Sequence, residues 1–374
     1  MTSNMLSKFK FFVSCLPNLE TVLLTEIKRL GIDAKISDCG GIELTGTILE
    51  LYLLNIWLRT ANRILVRLLS FYTTKLKTIN DKVIAYPWDI YLHKTDKIII
   101  KTTCKKSKIY HSDALAHVVV SAIEKRLRRK LLLIKPHERD NSTQTLYIRV
   151  FKNRCTISID SSGKHLHERG YHTQKVKAPL RETIAAAMIY LSNWNPKEIL
   201  WDPFCGSGTI LIEAALIALN IAPGINRKFA FMDWKNFDIN LFNSIKKIGK
   251  PLNPNPKIFG TDLSLKAIQC AIKNAQQATV KQFITLSQKD FFKTPPIASK
   301  GFIITNPPYG KRLKKENAIN FYKKIKTKID SELLDWNISL ICPKKFKNIF
   351  IPKFDARITI DNGGISVIFL NKKA

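Results

Sequence analysis

Cysteine pairs are missing from this 374-residue chain. The cysteines number seven, an odd count, and no two of them form a CxxC pair. Neither a disulfide framework nor a zinc site is therefore indicated, and we expect most of the thiols to be buried, small apolar groups in a reducing compartment. The positions concerned are Cys15, Cys39, Cys104, Cys155, Cys205, Cys270 and Cys342.

Long hydrophobic runs are missing as well. We find no apolar stretch long enough to span a bilayer, and residues 1–10 do not resemble a signal peptide with a small-residue cleavage site. We therefore expect a cytoplasmic protein without membrane contact. Hydrophobic residues still make up 45% of the chain, which is ordinary for a globular protein of two or three domains.

Acidic residues are few. Against 61 Lys and Arg the chain has 29 Asp and Glu, so its formal net charge is +32, and both halves are basic. Mutational bias could have added lysines to neutral surfaces, because Lys, Ile and Asn are abundant together, but bias does not explain the scarcity of acids. The balance favours a nucleic acid as the partner.

The first 160 residues read as a small α+β region that begins with a strand, a helix ended by Gly31 and a strand pair around Gly40-Gly41. After a second apolar helix, three arginines at four-residue spacing would line one helical face, either solvated or contacting phosphates. They are Arg59, Arg63 and Arg67. The segments that we predict are strands at 9–14, 36–44 and 98–103, helices at 19–30, 49–58 and 113–130, and a hairpin at 146–160.

The densest basic run ends the third of these helices. Its cations could simply be a solvated helix end that favours the helix dipole. Because this half of the chain is already basic, we predict instead a patch that contacts an RNA backbone. The patch comprises Arg126, Arg128, Arg129 and Lys130.

A segment rich in special residues follows, with HERGYH at 167–172 and APLRET at 178–183. It closely resembles the segment that joins the THUMP domain to the catalytic domain in bacterial rRNA guanine-N2 methyltransferases of the RlmL type. The resemblance implies a THUMP domain preceded by a ferredoxin-like lead-in, and a helix at 182–191 that packs on the catalytic sheet. The segment contains three histidines, His165, His167 and His172, and we interpret them as polar or RNA-facing rather than metal-binding.

A strand, a glycine-containing turn and a helix come next, the arrangement by which doubly wound folds bind nucleotides. The turn, DPFCGSGT at 202–209, has neither a GxGxxG fingerprint nor a Walker loop. It resembles motif I of S-adenosylmethionine-dependent methyltransferases that modify exocyclic amines. The resemblance implies that S-adenosylmethionine is the cofactor, without a metal, and that it is held by Asp202, Pro203, Cys205, Gly206, Gly208 and Thr209.

Acidic residues also end the next two predicted strands. Asp262 follows 258–261 and could bind both ribose hydroxyls, with Leu263 beside it; Asp290 follows 284–289 and would contact the adenine, with Phe291 beside it. Either acid could instead cap the following helix. With Asp202 and Asn306, they would end four successive strands at the edge where open α/β sheets bind ligands.

The strand predicted at 301–305 runs into Asn306, Pro307, Pro308 and Tyr309. Both prolines stiffen this turn, so the Asn oxygen and a prolyl carbonyl can be held as two fixed acceptors. A planar amine with two N–H donors suits them, and Tyr309 offers a face on which its base could stack. The turn could also be a plain Pro-rich strand end.

The sequence therefore predicts an α/β protein with a Rossmann-like S-adenosylmethionine-dependent methyltransferase domain after a ferredoxin-like and THUMP region. We predict a lead-in at 1–44, a THUMP domain at 45–160, a linker at 161–181 and the catalytic domain at 182–374, without a second methyltransferase unit. The expected activity is methylation of a guanine N2 amine in RNA, with 23S rRNA or a ribosomal precursor as partner and no obligate protein partner. Rival hypotheses are a tRNA guanine-N2 enzyme, a DNA adenine-N6 enzyme, a protein glutamine methyltransferase and a non-catalytic assembly factor.

Overall fold

The computed structural model describes residues 7–37, 40–140, 142–172, 180–248, 255–310 and 315–374. Cys39 and the Ala178-Pro179 part of the linker motif lie outside these residues. The chain forms two compact units. The first contains the described residues of 1–15, 27–166 and 227–247, and the second contains those of 16–26, 167–226 and 248–374.

The helices of the described residues follow one another in the order α1 (Glu20–Arg29), α2 (Ile48–Trp57), α3 (Leu76–Ile84), α4 (Ser112–Leu127), α5 (Glu182–Ser192), α6 (Thr209–Ala218), α7 (Ile239–Lys246), α8 (Leu265–Gln277) and α9 (Lys315–Glu332). Short 3-10 turns lie at Trp88–Ile90, Pro136–Glu138, Ala230–Asp233, Lys281–Phe283 and Lys344–Ile349.

The first unit is built on one mixed sheet with the strand order β2-β3-β1-β4-β8-β7-β5-β6. The ferredoxin-like strands and the later strands join where β4 pairs antiparallel with β8. The sheet is therefore continuous through the unit. Its strands are β1 (Phe9–Ser14), β2 (Ala34–Ile36), β3 (Ile42–Gly46), β4 (Arg63–Tyr72), β5 (Lys97–Lys105), β6 (Leu132–Leu133), β7 (Gln144–Phe151) and β8 (Arg154–Asp160).

The two faces of this sheet differ. Along β7, Leu146 and Ile148 are buried, whereas the alternate residues Tyr147 and Arg149 are only partly buried. Successive strand residues point to opposite faces, so one face forms the core of the unit and the other carries the polar and charged residues.

Residues 227–247 pack within the first unit, although we assigned them to the catalytic domain from the sequence. Phe231 stacks on Tyr52 with a centroid distance of 4.6 Å, and the Asp238 N–H donates to Tyr52 Oη at 2.9 Å. The Trp234 indole donates to Gln144 Oε1 at 3.0 Å. Burial of these aromatic rings explains why the segment folds with the first sheet.

The second unit contains a sheet with the order β11-β10-β9-β12-β13-β15-β14. Its first five strands are parallel, and the last two pair antiparallel with their neighbours, as in doubly wound folds with an antiparallel edge. The strands are β9 (Leu200–Asp202), β10 (Ile258–Asp262), β11 (Ile284–Gln288), β12 (Gly301–Thr305), β13 (Trp336–Pro343), β14 (Asp355–Asn362) and β15 (Ile365–Lys372). The predicted Rossmann-like fold after an α+β region is confirmed.

Two predictions in the first unit are wrong. Arg63 and Arg67 lie on strand β4, not on a helix, and form ion pairs with Asp160 and Glu43; Arg59 is buried. The three arginines therefore do not line one helical face. The helix predicted to reach residue 130 ends at Leu127, because the backbone turns left-handed at the next residue.

Candidate active site

The carboxyl edge of the parallel strands brings the predicted residues together. Asp202 and Asp262 are the last residues of β9 and β10, Asn306 follows β12 directly, and Asp290 lies two residues beyond β11. These strands are neighbours in the sheet, and β9 and β12 flank the point where the strand order reverses. A crevice at such a point is where open α/β sheets bind ligands.

Asp202 is the most deeply buried of these acids, with 1% of its surface exposed. Its Oδ1 accepts hydrogen bonds from Thr305 Oγ1 at 2.6 Å and from the Phe204 N–H at 3.1 Å. Burial raises the pKa of this carboxyl from 3.8 to about 7, although both hydrogen bonds oppose the shift. Thr305, which we did not select from the sequence, therefore ties β12 to β9 beneath the site.

The glycine turn connects β9 to α6. The Gly206 N–H donates to Asp262 Oδ2 at 3.0 Å, and the Cys205 N–H donates to the Thr261 carbonyl at 3.0 Å, so the turn is fixed to the end of β10. Both Gly206 and Gly208 have positive φ, which favours glycine. A Cβ added at Gly206 would meet no described atom within 4 Å, whereas one at Gly208 would lie 3.0 Å from the Ala271 Cβ.

The other predicted residues around this turn differ in burial. Pro203, Cys205 and Thr209 are buried, while Leu263 is 68% exposed. Asp262 is partly buried, and its Oδ1 accepts from the Ser264 N–H at 2.9 Å. The turn thus borders open space at Gly206 and is firmly packed behind it.

Asp290 and Phe291 have separate places in the structure. Asp290 Oδ1 accepts from the Phe292 N–H at 2.9 Å. Phe291 is 4% exposed and packs against Trp201 and Phe204, with centroid distances of 5.8 and 5.1 Å. The ring predicted to lie beside a cofactor is therefore a core residue under the strand ends.

The Asn-Pro-Pro-Tyr turn holds a buried acceptor, the side-chain oxygen of Asn306. Asn306 is 8% exposed, and among the described residues no group donates to its buried Oδ1. Pro307 is buried as well, and Tyr322 Oη donates to the Pro308 carbonyl at 3.4 Å. A buried amide oxygen without a partner is unfavourable, so a donor that reaches it gains free energy.

Tyr309 is anchored at its hydroxyl. Asn362, the last residue of β14, donates from Nδ2 to Tyr309 Oη at 2.6 Å, and the ring is partly buried. The adjacent Gly310 has a φ of +61°, and a Cβ there would lie 2.6 Å from Ile365 Cδ1. The antiparallel strand pair at the sheet edge therefore positions the tyrosine, a role that we did not foresee from the sequence.

A buried polar network lies behind the glycine turn. Glu213 on α6 is fully buried and accepts from Tyr171 Oη at 3.0 Å, with Arg169 Nε 3.6 Å away. Burial raises the pKa of Glu182 to about 7, while Arg169 favours the charged carboxylate. The sequence signals for this network were the HERGYH motif and a lone acid in the apolar helix α6.

His172 belongs to the same network. Its Nε2 lies 3.3 Å from Thr209 Oγ1 and 3.5 Å from Glu182 Oε1, and its Nδ1 lies 3.3 Å from Asn274 Nδ2. Its side chain is 13% exposed. Of the two roles expected for His172, a polar or an RNA-facing residue, the structure shows the first, because the ring bridges the helix α6 to the helices α5 and α8.

The basic run after α4 lies in the first unit and is not uniformly free for RNA. Arg126 and Arg128 are exposed. Arg129 donates to the Leu92 and His93 carbonyls at 3.2 and 2.7 Å, and Lys130 pairs with Glu124 at 2.9 Å. Two of the four predicted RNA contacts thus have partners within the protein.

The described residues contain neither a metal-ligand cluster nor a membrane-spanning helix. No group of three or more His, Cys, Asp or Glu in this part of the chain could hold a metal ion. None of its helices is both long and apolar enough to cross a membrane.

Three family models match the chain. The RMKL-like methyltransferase domain matches residues 169–365, the RlmL ferredoxin-like domain matches residues 10–65, and the THUMP domain matches residues 73–160. The first of these spans more than half of the chain.

Similar proteins include YpsC of Bacillus subtilis, named as a candidate RNA methyltransferase, which is 32% identical over 96% of this chain and 94% of its own length. The ribosomal RNA large subunit methyltransferase K/L of Psychromonas ingrahamii is 32% identical over 88% of this chain, which spans only 45% of that protein. The crystal structure of SMU.472, a candidate methyltransferase complexed with S-adenosylhomocysteine, has a TM-score of 0.87 and 29% identity, covering 99% of both chains.

Proposed function

This chain belongs to the RMKL-like methyltransferase family, and we propose that it methylates the exocyclic N2 amine of a guanosine in 23S ribosomal RNA. At the coarser level it is an S-adenosylmethionine-dependent RNA methyltransferase. The observation that carries the choice of an exocyclic amine is the buried Asn306 Oδ1, which accepts no hydrogen bond from the described residues, at the carboxyl edge of the sheet. We further propose that the protein acts in the cytoplasm, because its proposed substrate is ribosomal RNA.

The glycine turn fits the cofactor. Open space borders Gly206, where a side chain would otherwise project, and the carboxylates of Asp202 and Asp262 lie at the same edge. Asp202, Gly206 and Gly208 would hold the amino acid portion, Asp262 the ribose and Asp290 the adenine. When bound, S-adenosylmethionine supplies an electrophilic methyl group on its sulfonium.

Asn306 and the Pro307 carbonyl would act on the target amine. The lone pair of a guanine N2 amine is delocalised into the ring, so the nitrogen is a poor nucleophile. Hydrogen bonds from its two N–H groups to these acceptors favour a pyramidal nitrogen and aim the lone pair at the methyl group. Because Asn306 Oδ1 is buried, the side chain or the neighbouring turn rearranges locally to admit the donor.

Tyr309 would support the base, which must be unpaired or flipped out to reach the turn. The hydrogen bond from Asn362 holds the ring, so the stacking surface is pre-organised. The proton of the amine leaves after methyl transfer, and the positively charged product nitrogen releases it readily. No general base among the side chains is therefore required.

The substrate class follows from what surrounds the turn. An Asn-Pro-Pro-Tyr turn suits adenine N6 and glutamine amides as well as guanine N2. A THUMP domain match and a net charge of +32 favour RNA over a protein substrate. The ribosomal RNA methyltransferase name of a relative supports 23S rRNA over tRNA as the first candidate.

The test is methyl transfer from labelled S-adenosylmethionine to deproteinised 23S rRNA, tRNA and DNA, with nucleoside analysis of the product. We expect N2-methylguanosine in 23S rRNA. In the Asn306→Ala variant we expect the rate to fall by roughly 10²-fold or more while cofactor binding is retained, because a positioned hydrogen-bond partner is lost. Asn195→Ala, at an exposed asparagine, is the matched control.

Label on tRNA alone would keep the mechanism and change the substrate. Label on adenine would refute the choice of base. Cofactor binding without labelling of any nucleic acid would favour the assembly-factor or protein-substrate hypotheses.

A further inference from the structure

The less buried face of the first sheet is a basic and aromatic surface. The pairing registers place alternate residues of seven strands on it. Arg67 of β4 lies opposite Lys10 of β1 and Ser158 of β8. Arg149 of β7 lies opposite Thr156 of β8 and Thr103 of β5. The cations on this face include Lys10, Lys35, Arg67, Lys101, Lys105, Arg149 and Arg154, and its aromatic residues include Phe12, Tyr72, Tyr147 and Phe151. We call it the basic sheet face.

A cavity of about 260 Å³ opens on the basic sheet face. Its lining includes Lys35, Arg67, Arg149, Arg154 and the ring of Phe151. Four cations around one hollow make a site for an anion of phosphate size.

One acid, Glu43, also lines the cavity, but its charge is already balanced. Glu43 Oε1 accepts from Arg67 Nη2 at 2.6 Å and from Ser37 Oγ at 3.0 Å. Among the described residues, Lys35, Arg149 and Arg154 have no carboxylate partner. Within the part of the chain that the structure describes, three cations at the hollow therefore form no ion pair, and a polyanion would complement them.

The rings on this face are held by cations. The Arg149 guanidinium lies 4.8 Å from the Phe151 ring centroid, and Lys101 Nζ lies 5.4 Å from that of Tyr147. Tyr72, at the end of β4, is 64% exposed. Rings and cations alternate across neighbouring strands, so a ligand that combines flat bases with phosphates meets both kinds of group.

We propose that the basic sheet face binds single-stranded RNA, with a phosphate in the cavity and neighbouring bases on Phe151, Tyr147 and Tyr72. Unpaired bases can stack on aromatic side chains. In an RNA duplex the faces of the bases are covered by neighbouring base pairs, so this surface would contact only the phosphates. The inference deepens the proposed function, on which it rests for the choice of RNA as the polyanion. The main RNA contact would then be the basic sheet face instead of the basic run at the C-terminal end of α4.

The experiment compares two double variants of the full chain that lose the same charge. Arg149→Gln with Arg154→Gln removes two cations of the cavity, and Arg126→Gln with Arg128→Gln removes two exposed cations of the run after α4. Binding of a dye-labelled single-stranded RNA is followed by fluorescence anisotropy at several salt concentrations, without cofactor.

We expect the cavity pair to weaken binding at least about tenfold and to reduce the slope of log K against log salt by about 1.4, for two lost phosphate contacts. The control pair is expected to change affinity less than about threefold. Equal losses in both pairs would overturn the proposal, because they would show a diffuse charge effect.

A second pair of variants tests the stacking. Phe151→Leu and Tyr147→Leu keep apolar bulk and are each expected to weaken single-strand binding about 5- to 100-fold with an unchanged salt slope. A duplex of the same sequence that binds as tightly as the single strand, or leucine variants that bind like the wild type, would overturn the proposal. Retained S-adenosylmethionine affinity and circular dichroism show that the variants are folded.

These outcomes are separable from those of the methylation assay. A chain that binds single-stranded RNA through this face but labels no guanine would keep the inference and overturn the proposed function. A variant with both cavity arginines replaced that still methylates 23S rRNA at the wild-type rate would overturn the inference and keep the proposed function.

Discussion

Replacement of Asp202 by Asn is expected to stabilise the second unit at alkaline pH while weakening cofactor binding. Asn keeps the Oδ1 acceptor that Thr305 and the Phe204 N–H use, and it resembles the protonated acid in shape. What it removes is a charge in a position with 1% exposure. The predicted effect is therefore a stability gain that grows with pH.

The magnitude follows from the pKa of Asp202. In the unfolded chain the carboxyl loses its proton near 3.8, whereas burial keeps it protonated in the folded chain up to about 7. Between these values the folded state binds more protons, so this group makes the free energy of unfolding fall as the pH rises. At about 1.4 kcal/mol per unit of pKa difference, the loss by pH 8 is on the order of 4 kcal/mol.

The assay is urea unfolding of the cofactor-free protein at pH 5 and pH 8, for wild type and Asp202→Asn. Hydrogen exchange of peptides covering β9 and α6 assigns the change to the second unit. At pH 5 the folded wild-type acid is still mostly protonated while the unfolded chain has lost its proton, so we expect the variant to be more stable by only about 1.7 kcal/mol. At pH 8 we expect it to be more stable by a few kcal/mol.

Asp290→Asn is the matched control, because it removes a carboxylate from another strand end that is only partly buried. A stability difference between wild type and Asp202→Asn that does not change from pH 5 to pH 8 would refute the reasoning. So would an equal pH-dependent gain in the control.

Two further predictions concern the network and the turn. Arg169→Met leaves Glu213 buried beside an apolar group and is expected to lower the free energy of unfolding by about 3 kcal/mol. Adding Glu213→Gln removes the buried charge and is expected to restore stability. Urea unfolding of the single and double variants measures both effects, and a double variant as unstable as the single one would contradict the prediction. Tyr309→Phe is expected to keep the rate of methyl transfer within a fewfold of wild type. Tyr309→Ala is expected to lower that rate roughly 5- to 100-fold, because the ring on which the base stacks is removed. Equal losses in the two variants would assign the role to the hydroxyl instead.

The family and the residues at the carboxyl edge of the parallel strands could be predicted from local sequence. The DPFCGSGT turn and the Asn-Pro-Pro-Tyr turn each depend on residues with special backbone preferences, and these act within a few positions. The strand prediction at 301–305 and the hairpin at 146–160 agree with β12 and with β7 and β8, because alternation and apolar runs are local signals too. That the four strand-end residues share an edge follows once the strands are parallel.

Burial and partners could not be predicted in this way. The sequence predicted Phe291 beside the cofactor and His172 as a polar or RNA-facing residue, but it did not predict that Phe291 packs under the strand ends or that His172 bridges helices α5, α6 and α8. Arg63 and Arg67 have helical spacing, but the same spacing also places residues on one face of a strand, and their partners are far away in the chain. Segment 227–247 packs on Tyr52, a residue far earlier in the chain.

The amino-acid sequence by itself determined the DPFCGSGT and Asn-Pro-Pro-Tyr turns, the excess of positive charge and the family. Each of these properties depends on residues that are neighbours in the chain or on the total number of residues of one type. Only the tertiary structure decided which cations are neutralised, which acids are desolvated, and that Arg149, Arg154 and Lys35 meet at one hollow on a sheet face. Those properties arise from contacts between strands that are distant in the chain, and no local pattern encodes them.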